Sequence, residues 1–178
     1  MDGVTIRAER AADADGVASV VRLAFVDEPE VVDLVAAIRE SPRYRTGLAL
    51  VAEVDDQVVG FVMLSGTDLV ADDGTVREVL TLSPLAVHPD HQSRGIGSEL
   101  VRIGIAEADR RREPLAVLEG SPRYYGRLGF RFAHDFGIEL PLPSWAPPEA
   151  AQVYPLSGYD PAYRGRVVYP PAFAILPG

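Results

Sequence analysis

No cysteine occurs among the 178 residues, which excludes disulfides, thiolate metal ligands and a cysteine nucleophile while leaving the compartment open. Lysine is absent as well: all 17 basic residues are arginine, a bias that genome composition alone can produce. Three histidines are too few to favour a metal site, which is usually built from four ligands. No apolar run approaches the roughly 20 residues that cross a bilayer. The start, Met1 to Arg10, lacks the basic segment and apolar stretch that direct export. The expectation is a cytoplasmic chain with no membrane partner. Positive charge is scarce overall, and a net charge of −9 argues against nucleic acid, whose binding rests on neutralising phosphates.

What is present fits one globular domain. Hydrophobic residues make up 47% and charged residues 24%, and folding at this length hides roughly two-thirds of the surface that the unfolded chain exposes. The charge is unevenly spread. Between Ala86 and Arg131 eight arginines stand against six carboxylates, so this stretch is net positive inside an acidic chain. There is no repeat and no linker. The expected organisation is a single domain over residues 1–178, with 133–178 a proline-rich extension packed on it. The sequence leaves the oligomeric state open, a homodimer included.

Periodicity gives the element order. Thr5 to Ala8 reads as a strand. Val17, Val20, Val21 and Ala24 form one face of a helix over 13–25, and Val31, Leu34, Val35 and Ile38 form the face of a second that ends before Pro42. Leu48–Val54 and Val58–Leu64, separated by Asp55, Asp56 and Gln57, predict an antiparallel hairpin. Val76 to Val87 is a long strand with Pro84 inside it, where a missing N–H calls for a bulge or a splayed end. A helix is expected from Gly97 to about Arg112, a buried strand at Leu115–Leu118, and a short helix at 122–128 with Gly129 as its cap. In the tail, Val167–Tyr169 and Phe173–Leu176 are apolar segments from which one or two closing strands are expected.

The informative stretch is LSPLAVHPDHQSRGIGSEL, Leu82 to Leu100. Here an apolar strand is followed by a polar turn, and then Gln92, Ser93, Arg94, Gly95, Ile96 and Gly97 open an amphipathic helix. Amide N–H groups at a helix N-terminus point outward with positive partial charge, and glycine lets a pyrophosphate come close. Arg94 can add a charge-assisted hydrogen bond. On this reading a side chain at Gly95 or Gly97 would fill the phosphate's place. The bland alternative is a tight turn, which an isolated pair of glycines usually marks. A P-loop needs Gly-Lys-Ser/Thr and a dinucleotide fingerprint needs a third glycine; neither is here.

These residues resemble the GNAT superfamily of N-acetyltransferases, whose hallmark Q/R-x-x-G-x-G/A corresponds to Gln92–Gly97. A second match, the family's Tyr-x-x-x-Gly-Phe, is Tyr125 to Phe130. The resemblance covers about Thr5 to Phe132. It implies an α/β domain with a mostly antiparallel twisted sheet flanked by helices and splayed between two central strands. It also implies acetyl-CoA as co-substrate, with no metal, and a small-molecule or peptide amine as acceptor. Leu85, Ala86 and Val87 would offer backbone groups to the pantetheine arm, and Gln92 to Gly97 with Ser98 would hold the pyrophosphate. Tyr125 would stand at the thioester sulfur as the acid, and Tyr124 would point elsewhere. The rival is a catalytically silent acyl-CoA-binding or regulatory module.

Two departures from the family pattern bear on the chemistry. The asparagine often found before the tyrosine is missing, with Leu118 or Ser121 nearby, and the carboxylate that some members carry on the central strand is replaced by Thr81. Glu78, three residues earlier, is the candidate base; regular alternation puts it on the side of Leu80 and Leu82. Glu119 is its rival, although an exposed loop carboxylate is the ordinary explanation. His88 and His91 with Asp90 read as polar turn residues, and Asp27, Glu28, Glu30 and Asp33 read as a solvated helix face before they read as a receiver for a cationic substrate.

Overall fold

The computed structural model describes residues 3–177; Gly178 lies outside them, as do Met1 and Asp2, the first two residues of the start examined for an export signal. Among the described residues nine strands form one sheet, whose main path runs β1(Thr5–Ala8), β2(Ala49–Val54), β3(Gln57–Val70), β4(Val76–Val87), β5(Leu115–Glu119), β8(Ala151–Pro155), β6(Arg131–Phe132). At its far end, β9(Gly165–Val168) joins β3 to β7(Ile138–Glu139). Among the described residues only the β4–β5 and β7–β9 pairs are parallel. Among the described residues four α-helices flank the sheet: α1(Ala14–Ala24), α2(Glu30–Arg39), α3(Ile96–Arg110) and α4(Pro122–Gly126).

Strand alternation explains the layers. Along β2 and β3, Ala49, Val51, Phe61 and Met63 face α1 and α2, while Leu50, Ala52, Val62 and Leu64 face α3. The sheet is therefore covered on both sides. Among the described residues no helix is long and apolar enough to cross a membrane. The hairpin turns at Asp55 and Asp56, both with positive φ, as a two-residue turn that matches strand twist requires. Strand β3 runs to Val70, six residues past the expected end, because Ser65 to Val70 stay in register with Thr81 to Val76 across the sheet.

Pro84 sits in a bulge. Val62 pairs with Leu85 and Leu64 with Leu82, so one residue of β3 opposes two of β4. The extra residue changes which side chains face which layer: Leu80 and Leu82 face α3, whereas Ala86, of the same parity, packs against the α1–α2 layer. Beyond the bulge the two central strands part. Strand β4 pairs with β5 only at Leu80–Ala116 and Thr81–Val117, after which β5 continues with β8 alone. This leaves the β5-facing edge of Leu82 to Val87 unpaired.

The tail differs from its sequence reading. Phe173 belongs to a 3-10 turn, Pro171–Ile175, packed beside α2 with Ala172 and Leu176, and not to a strand. The closing strands are β8, with Val153 fully buried and Gln152 nearly so, and β9, which holds Val167.

An ion cluster ties the first strand to the first helix. The Arg7 guanidinium donates to both carboxylate oxygens of Asp13 at 2.7 and 2.8 Å and also to Glu53 on β2. Asp13 is 8% exposed, and the Arg7 hydrogen bonds hold its carboxyl down at about 2. A depressed carboxylate contributes stability that is present above its ordinary value of 3.8 and is lost as pH falls through about 2. Asp13→Asn is expected to cost about 1 to 2 kcal/mol at neutral pH. In urea unfolding, the gap between parent and variant should close as pH is lowered from about 4 toward 2.

Candidate active site

The loop between β4 and α3 is built for an anion. Pro89–His91 forms a 3-10 turn. The Gln92 side-chain amide donates to the Val87 carbonyl at 3.0 Å, and Ser93 and Gly95 both take positive φ, at 61° and 85°. Glycine adopts that conformation without penalty, which explains Gly95 directly. The fifteen-residue helix α3 starts at Ile96. Among the described residues, no protein acceptor takes the N–H groups of Arg94, Gly95, Ile96, Gly97 or Ser98; the ladder begins with Glu99 donating to Gly95. Five successive unsatisfied donors at a helix N-terminus, beside the exposed Arg94, suit a pyrophosphate. The His88–Asp90–His91 turn is held by its own contacts, with His88 Nδ1 accepting from the Asp90 N–H. Among the described residues no group of three or more His, Asp or Glu could hold a metal ion.

Gly97 differs from its sequence reading. A Cβ there would stand 2.9 Å from the Tyr124 hydroxyl and near Val87 and Leu85, so the space it preserves lies between α3, α4 and the free edge of β4. The Ser98 hydroxyl donates to the same Tyr124 oxygen at 3.3 Å. Tyr124 therefore points to the loop, while Tyr125, at 89° to it, points into a separate cavity.

That cavity, of about 560 Å³, opens where β4 leaves β5. Thr81 to Leu85 form its floor, Glu119 and Gly120 the end of β5, and Tyr125 one side. The Tyr125 ring is wedged against Gly120, 2.5 Å from where a Cβ would stand there, and packs edge-on against Phe130. Burial pushes its phenol well above the ordinary value, which keeps the proton on oxygen across the neutral range.

Of the sequence candidates, the structure groups Tyr125, Thr81, Leu85 and Glu119 around one cavity. It places Gln92 to Ser98 at the adjoining loop, with Ala86 and Val87 on the strand between. Glu78 is elsewhere. Regular pairing from Asp68–Glu78 to Leu64–Leu82 puts it on the opposite sheet face from Thr81, where Arg43 donates to it at 2.6 Å and Arg45 also pairs with it. Of the acidic group at the α1–α2 corner, only Glu28 lines the cavity.

The tail supplies what sequence reasoning missed. The Tyr169 hydroxyl donates to Glu119 at 3.0 Å, and the buried Thr81 lines the same cavity. Pro141, Leu142, Pro143 and Phe173 close the wall. Glu119 stands at the exposed end of β5; partial desolvation at the cavity mouth raises its carboxyl, and the Tyr169 hydrogen bond partly offsets that. Nothing local marks Tyr169 as a site residue; its partner lies 50 positions away.

Residues 5–133 match the family model of the acetyltransferase (GNAT) domain. The chain belongs to the GNAT acetyltransferases. It is 32% identical over 133 residues to an uncharacterized N-acetyltransferase, YjhQ, of Escherichia coli strain K12, covering 74% of this chain and 72% of that protein. Among solved structures it resembles the GNAT family N-acetyltransferase YhbS from Escherichia coli in complex with CoA, at 28% identity and a TM-score of 0.84 over 96% of this chain and 92% of that one. A GNAT family acetyltransferase from Brucella melitensis in complex with acetyl-CoA matches at 28% identity and a TM-score of 0.76, over 96% and 97% of the two chains. The likeness to these GNAT structures thus takes in the tail as well as the 5–133 segment.

Proposed function

We propose that this GNAT chain transfers the acetyl group of acetyl-CoA directly to a primary amine. The observation that carries the reading is the junction of two features: a loop of five unsatisfied N–H donors, and a protonated Tyr125 in a cavity where the unpaired edge of β4 begins. The CoA-bound and acetyl-CoA-bound relatives support the same ligand.

Bound acetyl-CoA supplies an activated thioester. Arg94 and the N–H groups from Arg94 to Ser98 hold its pyrophosphate, and the free edge of Leu85, Ala86 and Val87 receives the amide groups of the pantetheine arm. With no cysteine to act as a nucleophile, the amine attacks the carbonyl carbon itself, so both substrates are bound together. The N–C bond forms and the C–S bond breaks. Tyr125 gives its proton to the departing sulfur and recovers one from the nitrogen that becomes the amide. Acetyl-CoA at millimolar concentration should raise the melting temperature, as any ligand of the native state does, and CoA should be released only when an amine is added. An absence of both heat of binding and thermal shift would remove the reading.

A further inference from the structure

We infer that Glu119, oriented by the Tyr169 hydroxyl, is the group that receives the acceptor's ammonium and takes its proton, and that the acceptor is a compact amine on an apolar body bearing no acidic group. This rests on the acetyl-transfer reading and deepens it. The acidic side chains lining the cavity are Glu28 and Glu119, and among the described residues no arginine or histidine lines it. Four hydroxyl side chains, Thr81, Ser83, Tyr125 and Tyr169, line it as well, and the rest of its walls are mainly apolar, with Phe25, Val31 and Leu34 from the α1–α2 corner and Leu142 and Phe173 from the tail. Such a cavity attracts a cation and offers a carboxylate no cationic partner, so a free amino acid would place its own carboxylate beside two acidic side chains. At about 560 Å³ the space is that of a small-molecule pocket, and part of it must hold the acetyl group.

Glu119 meets the needs of a base. It lines the same cavity as Tyr125, and its carboxylate is held at one oxygen by Tyr169, leaving the other for the ammonium. The titratable groups that face it are Tyr169 beyond β9, Tyr125 on α4 and Glu28 at the helix corner; Tyr125 and Tyr169 are both pushed above the ordinary phenol range. The ammonium passes one proton to Glu119, the neutral nitrogen then attacks, and Glu119 releases that proton to solvent after the product leaves. Tyr169 is a positioning residue. Its hydrogen bond favours the ionised carboxylate, so removing it raises the Glu119 value further.

The test compares phenethylamine, phenylalanine and a tripeptide beginning with phenylalanine, which share one body and differ in what the amine carries. CoA release should favour phenethylamine over phenylalanine by at least about 100-fold in kcat/KM. Preference for phenylalanine or for the tripeptide overturns the acceptor class. Glu119→Gln should lower kcat/KM by about 100-fold with acetyl-CoA affinity unchanged in calorimetry. Its rate should climb with pH toward the amine's own value near 10, whereas the parent levels off once Glu119 is ionised. Tyr169→Phe should move the parent's acid limb to higher pH. Parental rates and an unaltered pH profile in Glu119→Gln overturn the assignment while leaving acetyl transfer intact. Failure of the parent to bind acetyl-CoA would instead remove the proposed function.

Discussion

Replacing Tyr125 with phenylalanine should lower turnover by roughly 100-fold to 10,000-fold, the usual contribution of a positioned general acid, while acetyl-CoA affinity stays within about twofold of the parent. The ring is retained, so its contacts with Gly120 and Phe130 persist and the fold has no reason to change. Only the hydroxyl is lost, and with it the proton it would donate. Affinity and rate therefore separate, which a purely structural tyrosine would not produce. The measurement is steady-state CoA release on any amine the parent acetylates, beside calorimetry of acetyl-CoA. Equal turnover would return Tyr125 to the core, and a parent that binds acetyl-CoA yet acetylates no amine would favour a silent binding module.

Gly97→Val should act on the other quantity. A Cβ at this position already meets the Tyr124 hydroxyl at 2.9 Å, and two further methyls would displace Tyr124 and crowd the path between Leu85, Val87 and the helix N-terminus. Charge-assisted hydrogen bonds to phosphate are worth about 1.5 kcal/mol or more each. Losing access to two of them corresponds to a drop in acetyl-CoA affinity of roughly 100-fold. Gly97 lies in the first turn of α3 without a positive φ, and valine has the better helix propensity of the two, so the cost to the fold is that of moving the Tyr124 side chain. Calorimetry on the folded variant reads the result. Unchanged affinity would reduce the glycine to a packing requirement between α3 and α4.

The segment from Val76 to Arg110 is legible in the sequence because its local signals agree. A β-rich run, glycines after a polar turn and a 3.6-residue apolar period all point to strand, loop and helix in that order. The Tyr125–Phe130 motif is legible for the same reason. The tail is not. Strand β8 is five residues ending in proline, with a buried glutamine in it, and it becomes a strand by pairing with β5, more than thirty residues upstream. Phe173 reads as apolar and extended, yet the prolines before it set up a 3-10 turn. Glu78 has the right residue type but the wrong face, which the pairing register decides. Glu119 and Tyr169 become a pair only because β9 docks on the far end of β3.

The tail beyond Phe132 gives the acceptor's chamber walls that the donor's cradle does not share. Everything proposed to hold the acyl donor lies between Leu82 and Tyr125, whereas Tyr169, Phe173 and the Pro141–Pro143 wall come from the part of the chain beyond Phe132. Drift in those later residues can reshape the amine's chamber while the donor's cradle stays as it is. Lineages built on this scaffold can therefore exchange one acceptor for another without reinventing how the acetyl group is delivered.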